Sequence, residues 1–168
     1  MKCTLVPSEE LLGTLMNLAN HKMRGFFEHK LDAKGRVSVP VSWRPDPGSS
    51  VFLLKAESYG VSAIKVMSEE AMERKYRQIE EAEDLTPKDR DRLSGLLSRK
   101  SHELQVNDQG KLTVPKAWAE EAGLELPGAV ALVGRGNNFE MMTTENYEVM
   151  SEREEAETAA LNERFGII

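Results

Sequence analysis

The chain reads as an α+β protein in which two hairpins pack into one small barrel with peripheral helices, related by an internal pseudo-twofold. Three observations lead there. Leu31 to Pro40 reads Leu-Asp-Ala-Lys-Gly-Arg-Val-Ser-Val-Pro, and a degenerate copy returns at Val106 to Pro115 as Val-Asn-Asp-Gln-Gly-Lys-Leu-Thr-Val-Pro. Gly35, Pro40 and Trp43 recur 75 positions later at Gly110, Pro115 and Trp118. Each copy alternates as strand, tight turn and strand, and two copies are too few for a solenoid, so they suggest an internal pseudo-dimer.

The elements follow in order. Residues 1–22 form an N-terminal extension with one short amphipathic helix, capped by Ser8, with Glu9 and Glu10 in its first turn and Leu11, Leu12, Leu15 and Leu18 on its apolar side. The first repeat with its linker helices spans 23–98. Phe26 to Leu31 is a strand, Asp32 to Gly35 a turn, and Arg36 to Pro40 the returning strand, ended by Pro40. Trp43-Arg44-Pro45-Asp46-Pro47-Gly48 is turn chemistry, and Val51 to Glu57 and Val61 to Val66 are strands around Ser58-Tyr59-Gly60. Ser68 caps a helix reaching about Asp84. Thr86 caps another, with Pro87 at its first position, reaching about Ser98.

The second repeat, 99–168, keeps the order. His102 to Val106 is a strand, Asn107 to Gly110 the turn, Lys111 to Pro115 the return, and Lys116 to Ala122 a short helix closed by Gly123. Ala129 to Val133 and Phe139 to Met142 are outer strands around Gly134-Arg135-Gly136, and Thr144 caps an acidic helix toward Arg164. Within that helix, Arg153 is placed to pair weakly with Glu157.

Charge is unevenly distributed along the 168 residues, whose net value is -6. From His21 to Pro45 there are six Lys or Arg against two acids, a net of +4. From Ala119 to Ile168 eleven Glu face three Arg, a net of -8. The repeated element is therefore basic and the tail acidic. A single cysteine, Cys3, rules out an intrachain disulfide framework and a Cys-based zinc site. No apolar run reaches membrane-span length, and Leu11 to Leu18 lacks the basic flank of a signal peptide, so the reading is a soluble cytoplasmic protein.

Each turn glycine is followed at once by a cation, Arg36 or Lys111, and Lys34 precedes Gly35. Fixed cations on two paired tips suit a phosphate-rich ligand, and double-stranded DNA is the partner this suggests. Asp32 repels phosphate, so its place is to accept backbone N–H groups in the turn or to orient Arg36, and Asn107 can cap without the charge. Arg24 is a further candidate contact. Arg44, Arg99, Lys100 and Lys116, taken one at a time, are ordinary surface cations. His21, His29 and His102 match no metal-ligand spacing, Gly134-Arg135-Gly136 lacks the third glycine of a dinucleotide fingerprint, and no nucleophile–base pair stands out. No enzyme and no cofactor is expected. Trp43 and Trp118, each just after a strand-ending proline, suit core packing or a subunit contact better than base stacking.

Met23-Arg24-Gly25-Phe26-Phe27-Glu28-His29, the stretch from Leu31 to Pro40, and Trp43-Arg44 closely resemble the opening of the MraZ family of bacterial transcriptional regulators. Leu124 to Phe139, with Leu132-Val133-Gly134-Arg135-Gly136, is similar to that family's second repeat. The resemblance implies a double AbrB-like swapped-hairpin fold, ring-shaped homo-oligomers and a nucleoid location. It also implies binding to tandem short repeats upstream of the division and cell-wall gene cluster, usually as a repressor that includes its own gene. The family's Asp-x-x-x-Arg motif falls on Asp32 and Arg36, whereas the second copy holds Asn107 and Lys111. Arg offers a planar fork to guanine and Lys a point charge, so the first copy is expected to read bases and the second to hold backbone. Family members tend to begin where Met23 stands, so residues 1–22 are either an added helix or an early-assigned start. The reading from another class is a ring-forming interaction module, or an antitoxin-like partner, without specific DNA binding.

Overall fold

The computed structural model describes residues 21–168, so the expected helix around Ser8 lies outside the described residues. Among the described residues, eight strands form two sheets. Strands β1 (Phe26–Leu31), β3 (Val51–Ser58), β4 (Val61–Ser68), β5 (Ser101–Leu104), β7 (Gly128–Gly134) and β8 (Asn138–Met142) make one antiparallel sheet in the order β1-β7-β8-β4-β3-β5. Strands β2 (Arg36–Ser38) and β6 (Lys111–Thr113) make a separate two-stranded antiparallel ribbon. Exchanging the two repeats, β1 for β5 and so on, reverses the sheet order onto itself, so the 75-residue sequence repeat has a direct counterpart in the topology.

The two arms of each strand–turn–strand element do not form a ladder with each other. Two backbone bonds close the first turn, from the Asp32 N–H to the Arg36 carbonyl and from the Gly35 N–H to the Asp32 carbonyl, each at 3.0 Å, and the equivalent pair, Asn107 to Lys111 and Gly110 to Asn107 at 2.9 Å, closes the second. Beyond them the arms part: β1 joins β7 of the other repeat, with Phe26 opposite Val133, and β2 joins β6. The residue pattern reads each copy as strand, tight turn and strand, whereas the family resemblance implies swapped hairpins. Burial explains why the arms part, because Val37 and Leu112 sit directly opposite each other in the ribbon and are almost fully excluded from water. Burying side chains of this size contributes about 1.5–3 kcal/mol each, more than a short isolated hairpin recovers from its own ladder.

The main core lies between the ribbon and the inner face of the six-stranded sheet. Leu31, Val37, Val39, Leu112 and Val114 pack there with Leu53, Ile64, Val130, Leu132 and Phe139. Trp43, at the end of a short 3-10 turn from Val41 to Trp43, is 1% exposed and meets Phe27 edge-on, with ring centroids 5.2 Å apart. Trp118 is half-buried against the same core, under the Lys55 ammonium at 5.0 Å.

Helices cover the outer face. Helix α1 (Glu69–Glu81) is capped by Ser68, whose hydroxyl accepts from the Ala71 N–H at 3.1 Å, and α2 (Pro87–Arg99) by Thr86. Together they shelter Leu54, Met67, Ala71 and Met72. Helix α3 (Lys116–Glu121) follows the ribbon. Helix α4 (Thr144–Phe165) covers Val61, Ala63, Ala131, Val133 and Met142 through Met150, while Tyr147 stacks on Phe26 with centroids 4.0 Å apart. Its cap is Thr143, whose hydroxyl accepts from the Asn146 N–H at 3.0 Å, one residue before the expected Thr144 and in step with Ser68 at the 75-residue offset. Arg153 turns away from Glu157 and donates to the Tyr59 carbonyl at 2.8 Å, where the β3–β4 turn leaves an acceptor free. Among the described residues, no helix is long and apolar enough to cross a membrane.

Candidate nucleic-acid interface

The two turns close opposite ends of the β2/β6 ribbon and are locked to it reciprocally. The Gly35 carbonyl accepts from the Val114 N–H at 2.8 Å, and the Gly110 carbonyl accepts from the Val39 N–H at 2.9 Å. Both glycines adopt positive φ, +80° and +76°, which a side chain resists. Each turn is thereby fixed by the other repeat's strand.

Strand alternation then decides which side chains face out. With Val37 and Leu112 turned into the core, Arg36, Ser38, Lys111 and Thr113 occupy the opposite face, with Arg36 across from Thr113 and Ser38 across from Lys111. Arg36 and Lys111 are diagonal neighbours, at backbone separations of roughly 7–8 Å for such positions. The outer face of the ribbon thus carries two cations and two hydroxyls, and the exposed Lys34 adds a third cation at one end.

Asp32 organises the first turn. Its Oδ1 accepts from the backbone N–H groups of Lys34 and Arg36, both at 2.9 Å, and its Oδ2 accepts from Arg36 Nε at 2.7 Å. The Arg36 backbone N–H, together with the Arg36 guanidinium and the Lys34 N–H, holds the Asp32 carboxyl below its ordinary value against an opposing desolvation penalty. With Nε engaged, the two terminal nitrogens of Arg36 remain for an incoming acceptor pair. In the second turn Asn107 Oδ1 reproduces only the backbone part, accepting from Gln109 at 3.0 Å and Lys111 at 2.9 Å. A neutral amide leaves Lys111 unclamped.

The inequality of the copies extends further. Lys34 is replaced at the equivalent position by Gln109, while Asp108 stands for Ala33 and Asn107 for Asp32, so the second tip has one cation fewer and its one acid sits a residue later. Arg44 is also more than a surface cation. It is half-buried, donates from Nε to the Val39 carbonyl at 2.9 Å, and its guanidinium lies against Gly110. Arg24 stands apart from this cluster: it precedes β1, whereas the Asp32 turn follows it, and the six strand residues between place it roughly 20 Å away at about 3.3 Å per residue. Its Nε donates to the His21 carbonyl at 3.0 Å. Ser38 and Thr113 are the face residues that motif reading passes over, although their place between two buried residues in Val-Ser-Val and Leu-Thr-Val carries the signal.

A second polar cluster lies under α4. Arg135 donates from Nε to Glu140 Oε1 at 2.5 Å and also pairs with Glu154, while Ser58 Oγ donates to Glu140 at 3.0 Å. Glu140 is 1% exposed, so this network ties the β7–β8 turn to the helix. It lies on the outer face of the sheet, away from the ribbon.

These features define a duplicated α+β protein with a cationic β-ribbon held between two fixed turns. No family model matches the chain. Among characterised proteins it is similar to the transcriptional regulator MraZ of Arthrobacter sp. strain FB24, 30% identical over 131 residues, which span 77% of this chain and 88% of that one. It is also similar to the transcriptional regulator MraZ of Leifsonia xyli, 28% identical over 83% of this chain and 93% of that one. A third relative is the transcriptional regulator MraZ of Acetivibrio thermocellus, 26% identical over 86% and 96%. The chain belongs to the MraZ family of transcriptional regulators.

Proposed function

We propose that this protein is a sequence-specific DNA-binding regulator whose β2/β6 ribbon enters the major groove. The observation that carries the reading is the outer face of the ribbon, where Arg36 and Lys111 lie diagonally on a rigid two-stranded support. A two-stranded ribbon fits the major groove, and a guanidinium with both terminal nitrogens presented matches guanine O6 and N7. Arg36 reads the base, Lys34 and Lys111 neutralise phosphates, and Asp32, Gly35, Asn107 and Gly110 hold the turns. Arg24, before the far end of β1, contacts backbone only on DNA that extends past the ribbon. The acidic α4 discourages nonspecific coating of DNA and leaves the ribbon as the attractive surface.

The family resemblance supports the finer reading. The exchange of strands between repeats accords with an AbrB-like swapped-hairpin barrel, with 23–98 and 99–168 as its two halves. A ring of copies, each engaging one of several tandem short repeats, gains affinity through effective concentration. The target is the region upstream of the division and cell-wall cluster, including the protein's own gene, and the effect is repression within the nucleoid. Hydroxyl-radical footprinting of that region tests this. Protected tracts at regular spacing support it, and uniform cleavage favours a ring-forming or antitoxin-like module without specific DNA binding.

A further inference from the structure

The far half of α4 carries an apolar knob that nothing among the described residues covers. Met150 is the last buried residue of the helix, yet the helix continues to Phe165. Gly166 then turns the chain at φ +60°, and the Asn162 side chain holds Ile168 at both ends, accepting from its N–H at 2.8 Å and donating to its carbonyl at 3.0 Å. Leu161, Phe165 and Ile167 are thereby gathered on one surface, with Leu161 56% and Phe165 61% exposed, and Glu155 lies on the same side. An unsupported helical half that presents large apolar groups does not stabilise itself.

A matching socket lies elsewhere on the helix-covered face, toward the β3 edge. Between β3, α1 and α2, a shallow groove is floored by Leu54, Leu93 and Leu96 and rimmed by Lys55, Lys75 and Lys100. Lys55 pairs with Glu121, but no ion pair is formed by Lys75 or Lys100 among the described residues. Desolvation and the neighbouring Lys65 both disfavour the charge on Lys75, and an added carboxylate beside it would favour that charge.

We infer that the knob of one copy seats in the lysine-rimmed groove of the next, with Glu155 approaching the rim. Charge selects this occupant. From Ser151 to Ile168 there are five Glu and two Arg, so pairing α4 with α4 sets like charges together, whereas the groove offers cations. The contact joins two different surfaces and is heterologous, so repetition closes a ring or extends a filament. This deepens the proposed assembly by naming its interface, and it is independent of the ribbon's DNA contacts.

The test is the solution mass of the full-length protein by sedimentation velocity, for Phe165→Glu in the knob, Leu93→Glu in the groove, and their equimolar mixture. Each variant alone is expected to sediment as a single chain, with the circular dichroism of the parent. The mixture retains one intact knob and one intact socket, so it is expected to form a dimer and nothing larger. A parent that is monomeric at tens of micromolar, variants that keep the parent's mass, or a mixture that stays monomeric would overturn the inference. DNA binding by the monomeric variants, read on a single-repeat duplex, reports separately on the ribbon.

Discussion

Asp32 Oδ2 lies 2.7 Å from Arg36 Nε, while Asp32 Oδ1 accepts the Arg36 backbone N–H at 2.9 Å, so one carboxylate holds both the strand start and the guanidinium of the same residue. The side chains are 38% and 43% exposed, so the ion pair itself adds little to stability in water. Its consequence is orientation. In the proposed DNA-binding role, clamping Nε restricts a long side chain in advance, which would lower the ordering cost of binding.

Asp32→Asn is therefore expected to keep the turn, since Asn107 shows that an amide accepts the same pair of backbone bonds, and to release Arg36. Removing the negative charge raises affinity for random duplex while the loss of orientation lowers affinity for the operator. The ratio of the two affinities should fall. Parallel titrations of operator and random DNA check this.

The acid limb of stability carries the same signature. Asp32 is held below its ordinary value in the folded protein, so its contribution is fully present above the unfolded value, near 3.8, and is lost as pH falls through the lower folded value. The melting-temperature difference between the parent and Asp32→Asn should be constant from pH 5 to 8 and shrink below about pH 3.8.

Gly35→Ala should destabilise more than Gly110→Ala. Both positions have positive φ, which costs an alanine roughly 1–2 kcal/mol. A methyl at 35 would lie 2.5 Å from the Val114 carbonyl oxygen, which belongs to the ribbon's own backbone, whereas a methyl at 110 meets the Arg44 side chain, which can swing away. Urea unfolding of the two variants measures the difference.

Arg135→Ala leaves Glu140 buried without its cation, and breaking a buried pair in this way costs about 3–5 kcal/mol. Because this cluster lies outside the ribbon, operator affinity per folded molecule should not change. Denaturant unfolding combined with titration of the folded fraction separates the two effects.

Much of this arrangement is legible in the sequence because it is local. Asp-x-x-Gly and Asn-x-x-Gly announce their turns because the Asp or Asn side chain accepts from backbone N–H groups two and four residues on, and Ser68 and Thr86 announce helix starts by accepting from orphan N–H groups. The separation of the hairpin arms is not local. It depends on Val37 meeting Leu112 across 75 residues of chain, and strand alternation alone does not name a partner. The same limit hid the ribbon face: Ser38 and Thr113 become neighbours of the two cations only once the register is set. Arg44 reads as a surface cation because its acceptor, the Val39 carbonyl, is freed only where the chain leaves the ribbon. The Arg135–Glu140–Glu154 network was likewise invisible, since Gly134-Arg135-Gly136 in isolation is only a turn.

The most direct test is fluorescence anisotropy of the protein on its own upstream region across a salt series, with Arg36→Ala and Lys111→Ala alongside. The account predicts tight, salt-steep binding by the parent. Specific binding should be lost in Arg36→Ala, where removal of a bidentate base contact costs about 1–3 kcal/mol at every repeat engaged. In Lys111→Ala binding should only weaken, with a salt slope shallower by about one ion per ribbon. Parent binding no tighter than to random duplex, or an Arg36→Ala variant that binds as the parent does, would contradict it.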